Sequence, residues 1–174
     1  MATLKIPVGS SDHSQGADNA EIVFVEYGDY QCPYCGQAYP IVKKVQKHFG
    51  DRLRFVFRNF PLGEIHPQAE AAAETAEFAA ANGKFWEMHD LLFENQRFMG
   101  NELFERLAEQ LELQVTALGR ALKGGEFGKR VKDDFLGGVR SGVNGTPTFF
   151  INGIRHDGPY DYETLAAAIG SKAK

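Results

Sequence analysis

Ile22-Val23-Phe24-Val25-Glu26-Tyr27-Gly28-Asp29-Tyr30-Gln31-Cys32-Pro33-Tyr34-Cys35 is the stretch whose reading decides the fold. Its first six residues are almost continuously apolar, the pattern of a strand buried on both faces in a parallel or mixed sheet. A helix-like run follows from Pro33 to about Phe49. The only two cysteines of the chain sit at that junction as one Cys-x-x-Cys, so none is left for a structural disulfide. A dithiol between a strand and a helix is the setting for thiol–disulfide exchange.

The chemistry follows from the helix start. If the helix begins just after Cys32, its sulfur faces unpaired backbone N–H groups and the positive end of the macrodipole. Such sites bring a cysteine pKa from about 8.5 into a range of roughly 3.5–7.5. Pro33 fits the first turn, where a missing N–H costs nothing. Cys35 lies one turn on, close enough to form a disulfide with Cys32. Exposure then assigns the roles, with Cys32 at the helix tip as nucleophile and Cys35 as resolving thiol. Two other readings compete. A Cys-x-x-Cys is often half of a zinc site, but there is no second cysteine pair, and the five histidines (13, 48, 66, 89, 156) are scattered. No metal is therefore expected. Two incidental buried cysteines, packed as small apolar groups, are the remaining bland reading.

Glu26 stands in the middle of the apolar strand, six residues before Cys32. Burial would raise its pKa toward neutrality. A carboxyl beneath the dithiol would then carry the proton of Cys35. At a strand end reaching water it would do neither.

Outward from this stretch the chain divides into clear segments. Residues 8–20 crowd Gly, Ser, Asp and Asn and read as a loop or loosely attached arm. Leu4-Lys5-Ile6 before them is a candidate edge strand. Arg54-Phe55-Val56-Phe57-Arg58 is a second strand, ending near Pro61 and Gly63. From Glu64 to Gly142 the period turns helical. Ala69, Ala72, Ala73, Ala76 and Ala80 share one stripe, and Phe85, His89 and Leu92 a second. Leu103, Leu107 and Leu111 mark a third helix entered through Asn101 as N-cap. Val115, Leu118 and Leu122 mark a fourth, stopped by Gly124-Gly125, and Phe127, Val131, Phe135 and Val139 a fifth. Trp86, His89 and Phe93 read as packing, and His66 as a surface residue. Thr148–Ile151 and Ile154–His156 flank Asn152-Gly153, the signature of a two-residue hairpin turn. Thr146-Pro147 precedes this hairpin; on base rates alone its bond is trans. Asp161 caps a last helix. The predicted class is α/β, a central mixed sheet with an inserted all-helical subdomain. The expected single domain comprises an arm 1–19, a core 20–63 and 143–174, and an insertion 64–142.

Bulk properties narrow the partners. The 174 residues are 43% apolar and 24% charged, with a formal charge of −4, which gives no reason to expect nucleic acid or an anionic membrane. Apolar runs are only strand-sized, so no bilayer-spanning segment is expected. Met1 to Asn19 lacks the apolar core of a signal peptide. Taken as a native start it places the protein in the cytoplasm; a leader trimmed away would place it in the periplasm. With no coiled-coil or dimerisation arm in view, a monomer is the default.

Three features together resemble the DsbA-like branch of the thioredoxin superfamily, most closely its soluble bacterial members. They are Asp29-Tyr30-Gln31-Cys32-Pro33-Tyr34-Cys35 after a strand, the helical block before the hairpin, and Gly145-Thr146-Pro147-Thr148-Phe149-Phe150-Ile151-Asn152-Gly153. Gly83-Lys84-Phe85-Trp86-Glu87-Met88-His89 is similar to that family's insertion. The resemblance spans about residues 12–170. It implies a thioredoxin-like fold and disulfide exchange with protein or peptide thiols, through Cys32 and Cys35 and with no bound cofactor. Electrons would pass to or from glutathione or a thioredoxin-type partner. It also implies a cis Pro147 with Thr146 facing the dithiol, so that Pro33, Tyr34, Thr146 and Pro147 contact substrate, with the Thr146 backbone pairing to an extended segment. Glu26 matches the family's buried acid. DsbA proper has His where Tyr34 stands here, which implies a weaker oxidant. Two alternatives share the resemblance: a kappa-type glutathione transferase, which uses a hydroxyl where Cys32 stands, and a non-enzymatic redox-sensing module.

Overall fold

In the computed structural model, which describes residues 1–173, the chain runs β1 (His13–Gln15), β2 (Ile22–Gly28), α1 (Pro33–Phe49), β3 (Leu53–Asn59), α2 (Ala69–Ala81), α3 (Phe85–Glu94), α4 (Asn101–Gln110), α5 (Val115–Gly124), α6 (Gly128–Arg140), β4 (Thr148–Ile151), β5 (Ile154–His156) and α7 (Tyr162–Gly170). The strands form one mixed sheet of order β1-β3-β2-β4-β5. β2 lies at its centre, parallel to β3 and antiparallel to β4. That central place explains why β2, apart from Glu26, reads as an apolar run: it must be covered on both faces.

Side chains alternate across a strand, so the two faces of β2 build two cores. Ile22 and Phe24 face one core with Phe55, Phe57, Phe149, Val42, Val45 and Leu165. Val25 and Tyr27 face the other with Val56, Phe60 and Phe150. The same alternation puts Glu26 on the face of Ile22 and Phe24. It is flanked in register by Phe57 and Phe149 on the neighbouring strands. Complete burial of each such Phe stabilises the fold by about 1.5–3 kcal/mol, so this register is strongly held.

Helices α2 to α6 fill the stretch between β3 and β4, and no strand interrupts them. Asn152 (φ 47°) and Gly153 (φ 80°) both take positive φ, as a type I′ hairpin turn requires. Asp161 caps α7 by accepting the Thr164 N–H at 2.9 Å.

Three expectations need correction. Asn101 does not cap α4; it is the first helical residue, and Gly100 takes the cap position. Leu4-Lys5-Ile6 is not a strand; this end meets the hairpin through the Thr3–Ile154 bridge, the Arg155 N–H to the Ala2 carbonyl and the Leu4 N–H to the Gly153 carbonyl. The edge strand lies instead inside the supposed loose arm, where His13–Gln15 pairs antiparallel with Phe55–Phe57. The arm is pinned by charge as well. The Arg58 guanidinium donates to both oxygens of Asp12, at 2.8 and 3.0 Å, and to the carbonyls of Ile6 and Pro7. His13 Nε2 lies 2.9 Å from the buried Glu77, and its ring stacks on Phe85 with centroids 3.6 Å apart.

Candidate active site

The sheet delivers Cys32 to the start of α1 through a three-residue turn, Asp29-Tyr30-Gln31. Asp29 organises that turn. Its Oδ1 accepts the backbone N–H groups of Gln31 (2.8 Å) and Cys32 (3.2 Å). Its Oδ2 accepts the Leu62 N–H (2.9 Å) and lies 2.7 Å from His66 Nδ1. Cys32 is thereby set as the N-cap residue of α1 with extended φ/ψ (−68°, 122°), and Pro33 occupies the first turn. From the insertion, Gln96 Nε2 donates to the carbonyls of Tyr30 and Cys32, at 2.8 Å each. Gly36 fits beneath this amide because it has no side chain: a Cβ there would lie 2.3 Å from Gln96 Oε1.

Both cysteines are free thiols, and their environments oppose each other. The hydrogen bond from the Cys35 thiol holds Cys32 down to about 5 against the cost of burial. Thr146 and the backbone N–H groups of Cys35 and Tyr34 assist. These last two are the open donors of the first helical turn. Burial pushes Cys35 well up, and its bond to Cys32 and the charges of Glu26 and Cys32 push it further. The Asp29 N–H donates to Cys35 Sγ at 3.4 Å. Exposure, by contrast, hardly separates the pair. Cys32 keeps 3% of its surface and Cys35 none. The helix tip is less open than its position suggests, because Thr146 covers it. Cys32 Sγ lies 3.5 Å from the Thr146 carbonyl oxygen.

Glu26 is 2% exposed, and its Oε1 has no hydrogen-bond partner. Burial raises its pKa to about 8, and the charge of Cys32 adds to the rise. Of the other residues singled out, Thr146 and Pro147 are half-buried and joined by a cis peptide bond, where base rates favour trans. Pro33 is exposed, and Tyr34 stands 61% exposed beside the dithiol. Among the described residues no three His, Cys, Asp or Glu side chains converge to hold a metal.

His66 is not the surface residue expected; its side chain is 16% exposed and pairs with Asp29. His89 and Phe93 do pack, in an aromatic cluster with Phe57 and Tyr30, and the Tyr30 hydroxyl lies 3.0 Å from His89 Nδ1. Asp29, His66 and Gln96 are site residues that the sequence does not single out. Asp29 carries a readable local signal, since an Asp two or three residues before free N–H groups forms an Asx-type turn. Gln96 carries none, because its partner Cys32 is 64 residues away.

Comparison with known proteins agrees with this geometry. Residues 9–171 match the family model described as thioredoxin. BdbD from Bacillus subtilis superposes with a TM-score of 0.88 at 26% identity, covering 99% of this chain and 98% of that one. Alpha-DsbA1 from Wolbachia pipientis superposes at 0.84 with 18% identity, over 98% of this chain and 94% of that one. In sequence, the chain is 43% identical over 169 residues to Na(+)/H(+) antiporter NhaA 1 of Salinispora arenicola, covering 97% of this chain and 26% of the relative. The corresponding NhaA 1 of Mycobacterium sp. (strain KMS) is 41% identical over 170 residues, with 96% and 28% covered. The chain thus spans about a quarter of the length of the curated relatives it matches. This overturns the cytoplasmic placement, which rested on the first nineteen residues alone. A sequence that recurs as one part of proteins named as antiporters carries no compartment in its own beginning. No helix among the described residues is long and apolar enough to cross a membrane. With the family model covering nearly the whole chain, the chain belongs to the thioredoxin family, and its fold is shared with BdbD and alpha-DsbA1.

Proposed function

We propose that the protein exchanges disulfides with protein or peptide substrates through Cys32 and Cys35. The observation that carries this reading is the opposition of the two sulfurs: one is held as thiolate near neutral pH, and its mate one turn behind is held as thiol. The Cys32 thiolate attacks one sulfur of a substrate disulfide. That S–S bond breaks, a mixed disulfide forms, and the leaving sulfur takes a proton. Cys35 then loses its proton toward Glu26 in the fraction of molecules where that carboxyl is ionised, a fraction that grows as pH approaches about 8, and attacks Cys32 Sγ. The mixed disulfide breaks, the second substrate thiol leaves, and two electrons have passed from the dithiol to the substrate. Run backward, the same steps oxidise a substrate dithiol.

The remaining residues have supporting roles in this scheme. Pro33 and Tyr34 present an exposed face beside the sulfur, and the Thr146–Pro147 segment offers backbone for an extended substrate strand. The dithiol is the only redox group the scheme needs, reloaded by glutathione or a thioredoxin-type protein, with the chain acting as a monomer. An intact Cys32 argues against kappa-type conjugation, which needs a hydroxyl there. Insulin reduction in excess thiol tests the reading. Wild type is expected to turn over well above the Cys32→Ser variant, and equal rates would leave only a redox-sensing module.

A further inference from the structure

The loop between β3 and α2 hangs from the redox turn, since Leu62 and His66 both bond to Asp29. On its far side it forms one wall of a groove of about 830 Å³ against α6. The floor is apolar, with Pro61, Leu62, Val131 and Phe135. Ile65 stands on the rim 68% exposed, far more than an isoleucine in contact with its own core. Val131, Phe135 and Val139 fall on one helical stripe of α6, and Val139 is 49% exposed, so the apolar track continues past the groove. The polar lining is one-sided: Glu64, Glu70 and Glu74 face a single ammonium, Lys132. Glu74 Oε2 is shielded from water and has no hydrogen-bond partner.

We infer that this groove captures polypeptide segments that carry an apolar residue next to a lysine or arginine, and holds them beside the dithiol. The inference rests on the disulfide-exchange reading, because the captured segment is that of a substrate. An apolar side chain covers Ile65 and Phe135. A basic side chain beside it meets Glu70 and Glu74, where an acidic one would add a fourth negative charge. Such rim charges steer encounter and select among partners more than they add raw affinity. Asp29 accepts the N–H groups of both Leu62 and Cys32, so the groove wall is tied through one side chain to the backbone of the nucleophile.

The test separates binding from chemistry. Fluorescently labelled peptides contain Leu-Lys or Leu-Glu and carry serine in place of cysteine, so they cannot react; their affinity is read by anisotropy. Wild type is expected to prefer the lysine peptide by about fivefold, one exposed charge contact. The preference should fall toward unity in Glu70→Gln/Glu74→Gln, grow in Lys132→Glu, and shrink as salt screens it. Equal affinity for the two peptides, or a preference that survives loss of both glutamates, overturns the inference. So does a groove filled by a second copy, seen as concentration-dependent self-association that peptide cannot displace. Insulin reduction is scored separately: its absence with the charge preference intact would sink the exchange chemistry and leave the peptide groove standing.

Discussion

Asp29 holds the Cys32 N–H twice, through its own carbonyl oxygen at 3.1 Å and through Oδ1 at 3.2 Å. The nucleophile's backbone is thus fixed from the strand side before the helix begins. The other carboxylate oxygen holds Leu62 and His66, so one buried side chain ties the redox turn to the loop that forms the groove wall.

Asp29→Ala leaves the Leu62 and Gln31 N–H groups without their acceptor. Each orphaned buried group costs about 1–3 kcal/mol, so the expected loss is about 3 kcal/mol in urea unfolding. Asp29→Asn keeps one acceptor oxygen and gives up the charge facing His66, so it should lose about half as much. Equal losses in the two variants would mean that charge, rather than accepted hydrogen bonds, holds the turn.

Cys32 makes a prediction of its own. Its pKa is lowered from 9.0 to about 5, so folding of the reduced protein releases its proton early. The resulting stability is complete above about pH 9 and lost as pH falls through about 5. Thiolate ultraviolet absorbance of reduced protein should show a step near pH 5 that vanishes in Cys32→Ser. Cys35→Ala removes the hydrogen bond that contributes most to the lowering and should move the step up by about one pH unit or more. The same variant should trap mixed disulfides at Cys32. A step that stays put would reassign the stabilisation to the helix N–H groups.

The legible parts of this molecule were the local ones. β2, α1, the helices of the insertion and the Asn152-Gly153 hairpin each announce themselves through a period or a turn residue within their own span. β1 does not, because His13-Ser14-Gln15 has no strand character; its pairing is imposed by the open edge of β3 and by Glu77, which lies 64 residues away. The dithiol and Glu26 could be found from the sequence, since a lone pair of cysteines and an acid inside an apolar strand are both conspicuous. The cover over Cys32 could not, because it comes from Thr146, 114 residues further on. His66 looked like a surface residue for the same reason: its partner Asp29 is brought to it by the sheet.

Glu26 offers the sharpest pH test. In the unfolded chain it titrates near its ordinary 4.5, and in the fold burial, then the Cys32 charge, raise it to about 8. Between those values the unfolded chain has released the proton while the folded one keeps it. The folded state therefore binds more protons, and stability falls as pH rises from about 4.5 through about 8. Each pH unit in that window costs up to about 1.4 kcal/mol, and the whole window a few kcal/mol. Glu26→Gln has no proton to lose and escapes this cost. Urea unfolding of the reduced proteins should give Glu26→Gln a stability advantage that is smallest near pH 4.5 and widens by roughly 3 kcal/mol toward pH 8.5. The contribution of Cys32 runs in the opposite direction but is common to both proteins, so to first order it cancels in the difference. Turnover should move the other way. As pH approaches about 8, where Glu26 ionises, the variant should bind substrate as wild type does but resolve the mixed disulfide more slowly, since Cys35 has lost its proton acceptor. A stability difference that stays flat with pH would mean that the carboxyl finds a partner or water in solution, and the proton route from Cys35 through Glu26 would fall with it.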